Sequence, residues 1–93
     1  MDYKELKTIA EARYRSGSFT LDSVYSELRC YPSSDTADIV QVIWWTMYNY
    51  DETPLKVKRS RGHSLRIFYI NGDERIVRIT DHHDYKNGVE IVS

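Results

Sequence analysis

The chain has 93 residues, enough for one domain with a single core, and its one cysteine, Cys30, excludes a scaffold stapled by internal disulfides. A formal charge of −1 excludes a protein committed to nucleic acid by overall charge alone, but the balance is uneven. Residues 1–52 carry five cations against nine anions, and residues 53–93 carry eight against five.

No apolar run approaches the roughly 20 residues of a membrane span, and Met1-Asp2-Tyr3-Lys4-Glu5 lacks the apolar stretch of a secretory signal. With a lone cysteine, this places the chain in a reducing cytoplasmic compartment, of a cell or of a host if a virus encodes it. Eight tyrosines and two tryptophans exceed what so small an interior can hold, so some rings are expected on a contact surface.

Leu6, Ile9, Ala10 and Tyr14 recur at three- and four-residue spacing and predict a first helix over 3–16, stopped at Ser16-Gly17-Ser18. Thr20 caps a second helix over 20–30, with Leu21, Val24, Tyr25 and Leu28 on its apolar face and Pro32 as its bound. Ser33, Ser34 and Asp35 open the third and longest helix, 35–50. There Ala37, Val40, Trp44 and Met47 form one stripe, and Ile39, Val42, Ile43, Thr46 and Tyr50 the next. The strip left over holds Asp38, Gln41, Trp45, Tyr48 and Asn49. Adjacent helical positions point about 100° apart, so Trp44 is assigned to the core and Trp45 to the surface.

After Asp51-Glu52-Thr53-Pro54 the period changes to two, which predicts strands over 55–60, 64–70, 75–80 and 89–92. Asn71-Gly72 and Asn87-Gly88 read as turns, and Asp81-His82-His83-Asp84 as a polar loop, since adjacent His side chains diverge and zinc needs ligands that converge. No cation stands between Arg29 and Lys56; then Lys56, Lys58, Arg59, Arg61 and Arg66 arrive around Gly62, with His63 at the tip.

This order, with 20–30 as a second helix, 34–50 as a third and 55–70 as a basic hairpin, resembles the winged helix-turn-helix family over residues 3–70. The resemblance implies an α+β fold: three helices, a hairpin wing and one or two extra C-terminal strands. It also implies a recognition helix for the major groove of double-stranded DNA and a wing on the backbone. Lys56, Lys58, Arg59, Arg61, His63 and Arg66 would then meet phosphates, and Gln41 and Asn49 adenine edges. The third helix departs from the family pattern, carrying Asp38 and no cation.

No glycine-rich phosphate loop, paired-carboxylate motif or nucleophile elbow is present, and no motif places a base beside Cys30. The expectation is therefore a non-enzymatic binding protein without cofactor or metal. The first choice is a DNA-binding transcriptional regulator, with a homodimer through Trp45 as one arrangement. The alternative is a small modulator or inhibitor of the kind phages and mobile elements encode. It would contact a host protein, such as a nucleic-acid enzyme or defence complex, through Trp45, Tyr48 and Asp38.

Overall fold

The computed structural model describes residues 2–17, 20–31 and 34–93. It is an α+β structure in which three helices precede a four-stranded antiparallel sheet, an arrangement compatible with a winged-helix-like layout. The expected parts of Ser18, Pro32 and Ser33 in ending and opening helices lie outside the described residues, as do Phe19 and the side chains of Leu21 and Val24.

Helix α1 (Tyr3–Arg15) starts where Asp2 accepts the Glu5 amide, and its last turn carries Arg13 and Arg15 against the negative helix end. Gly17 follows at φ 80°. Helix α2 (Leu21–Leu28) ends at Arg29, and α3 (Asp35–Tyr50) at Asp51; both caps are left-handed at φ 53° and 52°, without glycine's freedom. Ser34 caps α3 by accepting the Ala37 amide.

Strands β1 (Lys56–Arg59), β2 (Ser64–Phe68), β3 (Glu74–Ile79) and β4 (Val89–Ile91) form a meander in the order β1-β2-β3-β4. Strand β2 stops short of the expected residue 70 because Tyr69 already donates its amide to Asp73 O in the turn at Gly72. Val57 faces Ile67 and Leu65 faces Val77, so one face of the sheet is apolar and lies on α3.

Helix α3 is the centre of the molecule. From Val40 to Met47 every residue is buried, with α1 and α2 on one side and the sheet on another. Trp44 is fully enclosed. Its indole donates to Ala10 O at 2.8 Å, and Tyr14 and Tyr85 stand edge-on to its ring.

Candidate functional site: the open face of the sheet

Three residues expected on the surface of α3 are interior, and the reason is the loop between β3 and β4. Gln41 is fully buried and donates Nε2 to Asp81 O at 2.7 Å and Asp84 O at 3.3 Å. Asn49 donates to Lys86 O of the same loop and to Trp45 O. Trp45 lies on the helical strip between these two, only 5% exposed, with its ring edge-on to Tyr50. Asp38 is likewise buried. The assignments of Gln41 to a base edge and of Trp45 and Asp38 to an interface are therefore corrected. Residues 81–88 cover that strip of the helix: the Gln41 and Asn49 amide groups donate to the loop's carbonyls, while Asp38 accepts from Arg59. A helix enclosed in this way has no face to lay in a groove, and Trp45 has none to offer a second copy. Tyr48, half exposed beside Lys86, is the one proposed interface residue of this helix that reaches solvent; Asn49 is exposed but tied to the loop.

Loop 81–88 can close so tightly on itself because residue 88 is glycine. A Cβ there would fall 2.2 Å from Asp81 O and 2.3 Å from Asp84 O. Gly88 O receives the amides of Thr80 and Asp81, while Gly88 N donates to Asp84 O.

The basic hairpin divides by strand parity. Lys56, Lys58 and Arg66 point away from the helices, but Arg59 shares the inward side with Val57. Its guanidinium reaches Asp35 Oδ1 at 2.8 Å and Asp38 Oδ2 at 2.6 Å, and also donates to His63 O. Burial alone would lower the Arg59 pKa; the Asp38 and Asp35 carboxylates outweigh it and raise the value. Arg59 is thus a clamp between β1 and α3, which corrects its assignment to phosphate. Arg66 is paired with Glu74 at 3.1 Å. Lys58 lies over the Phe68 ring, 5.4 Å from its centre, and no ion pair among the described residues includes Lys56, Lys58 or Arg61.

Behind the hairpin tip, Asp38, Arg59, His63, Ile79 and His82 line a cavity of about 340 Å³. His82 Nδ1 stands 3.2 Å from Asp38 Oδ1, within ion-pair distance though not aligned as a hydrogen bond. Among the described residues no His, Cys, Asp and Glu side chains converge as a metal-ligand set. Burial raises the Cys30 thiol above its ordinary value despite a hydrogen bond with Ser34, so little thiolate is available as a nucleophile.

The outer face of the sheet, by contrast, is uncovered among the described residues. It presents Lys56, Lys58, Arg66, Phe68, Glu74, Ile76, Arg78 and Glu90, with Arg78 paired to Glu90. At its β1 edge Tyr3, Leu55, Lys56, Lys58 and Phe68 line a shallow groove of about 470 Å³ that contains no carboxylate. Tyr3 is fixed there by donating its hydroxyl to Pro54 O, and Leu55 is 55% exposed. Sequence reasoning found the two lysines and missed Tyr3, Leu55 and Phe68. The only available signal was that Phe68 falls on the Lys-bearing parity of the hairpin. No helix among the described residues is long and apolar enough to cross a membrane. No protein-family model matches the chain, and neither a curated protein nor a solved structure does.

Proposed function

We propose that this chain is a small non-enzymatic binding protein of winged-helix-like layout, and that it modulates a partner protein by stoichiometric contact through the outer face of its sheet. One observation carries the reading: among the described residues the sheet's outer face is open and sets lysines outside any ion pair beside the half-buried Phe68 and Ile76, with exposed Leu55 at its β1 edge, while α3 is enclosed from Val40 to Met47. Contact surfaces of that mixed kind suit protein partners, in which an apolar patch desolvates and charges set orientation. The polar side chains of α3 support a non-enzymatic role by their present occupation. Asp38, Gln41 and Asn49 hold the hairpin and the loop 81–88 in place.

A second reading, double-stranded DNA held by the hairpin, rests on Lys56, Lys58 and Arg61, which have no carboxylate partner among the described residues. It lacks a base-reading helix, so it would be non-specific and strongly salt-dependent. Duplex binding measured against salt separates the two. Three phosphate contacts require a log–log slope of about −2.7. Recovery of one stoichiometric protein from lysate after nuclease treatment, with no duplex binding at low salt, is the outcome expected here. A salt-dependent duplex complex with no protein partner would overturn it.

A further inference from the structure

We infer that the groove at the β1 edge is the anchor point of this surface, and that its occupant is a short acidic protein segment carrying one large apolar side chain. The inference rests on the binding-protein reading and names the partner's chemistry. The floor of the groove is apolar, made by Leu55, Phe68 and the ring of Tyr3. Its volume of about 470 Å³ falls within the range of ligand-sized sites and accommodates one aromatic or leucine side chain with its flanking backbone. Its rim is cationic, because Lys56 and Lys58 stand on it and neither is in an ion pair.

Charge placement decides between an acidic segment and a nucleic-acid strand. Away from the β1 edge, Arg66 and Arg78 are neutralised by Glu74 and Glu90 on the same outer face. A phosphate backbone crossing the sheet would run onto those carboxylates. A segment that places its anchor in the groove and its acids against Lys56 and Lys58 meets only positive charge. The lysines are also suited to reversible contact: Lys58 already covers the Phe68 ring and can swing from it to a carboxylate as an apolar side chain takes its place.

The test uses a fluorescein-labelled peptide, Gly-Glu-Asp-Leu-Trp-Glu-Asp-Gly, its Gln/Asn counterpart, and an eight-nucleotide thymidine oligonucleotide. Binding is followed by anisotropy and mapped by amide NMR on the full chain. The acidic peptide should shift the amides of Tyr3, Leu55, Lys56, Lys58 and Phe68, and bind about tenfold more tightly than the Gln/Asn form at low salt. Phe68→Ala should weaken it about thirtyfold, and Lys56→Glu with Lys58→Glu should abolish it while the melting transition stays in place. The inference is overturned if the oligonucleotide binds more tightly than the peptide, if the shifts map elsewhere, or if charge reversal leaves affinity unchanged. Should the charge-reversed protein still capture its native partner stoichiometrically, the groove assignment fails while the binding-protein reading stands. Loss of every partner in the unaltered chain would instead sink the reading itself.

Discussion

Helix α3 and the outer face of the sheet were both candidates for contact, and they end in opposite environments. From Val40 to Met47 the helix is closed off by α1 and α2, by the sheet and by loop 81–88. Among the described residues nothing lies over the outer sheet face, and its cations divide into those neutralised at short range and those outside any ion pair. The difference shows that polarity on a helix does not mark its exposed side when a neighbouring loop has carbonyls to satisfy. Gln41 and Asn49 look like groove readers by residue type, yet they act as internal donors.

The sharpest way to break this comparison is Trp45→Ala. Enclosure predicts a loss of about 3–5 kcal/mol, read as a shift in the urea midpoint, as for any buried large-to-small change. A domain of this size has little stability to lose, so Trp45→Phe serves as a milder probe with a smaller loss of the same sign. If Trp45→Ala melts like the parent, the helix is open on that side after all.

Arg59→Ala comes next. It strands the Asp38 carboxylate, whose side chain is only 7% exposed, and should cost about 2–3 kcal/mol. That is less than for a fully buried pair because Arg59 keeps a third of its side chain in water. Arg66→Ala on the open face should cost no more than about 0.5–1 kcal/mol by the same measurement. Equal losses from the two arginines would erase the distinction between clamp and surface.

Alkaline titration sharpens the contrast from the interior side. Burial pushes the Tyr25 phenol up to about 12 from an ordinary 10.0, with smaller contributions from Cys30, Asp38 and Asp22. The unfolded chain therefore loses that proton first. Stability is full below about pH 10 and falls as pH climbs towards 12, and Tyr3, also raised by burial, adds to the loss. Tyr25→Phe should flatten the decline between pH 10 and 12 in denaturant midpoints. An unchanged decline would mean that Tyr25 is solvated. The smallest expected effect is a gain: Arg29→Gly relieves a left-handed cap at φ 53° and should stabilise by about 0.5–1 kcal/mol.

Much of this arrangement was legible in the chain. Helical spacing marks Leu6, Ala10, Val40, Trp44 and Met47 as interior, and the change to period two marks the strands. The inward turn of Arg59 follows from the same alternation, since it stands two residues from Val57, but its charge groups it with the phosphate contacts. What could not be read is which surface the loop 81–88 covers. Asp81-His82-His83-Asp84 has no periodicity, and its contact with Gln41 spans 40 residues. The groove was hidden for a related reason: Tyr3 and Phe68 line it together only because the fold brings the Tyr3 hydroxyl to Pro54 O, 51 positions along the chain.

The closure of α3 by loop 81–88 has a consequence for how the molecule is made. All three helices leave the ribosome before any strand, so α3 lacks the sheet and loop 81–88, and Trp45 its cover, until residues 56–91 have emerged and paired. Until then the nascent chain carries an apolar, aromatic helix with no sheet beneath it and Gln41 without the carbonyls it binds. Such a chain is a natural client for chaperones during synthesis, and its yield in cells should depend on how quickly the last hairpin is completed.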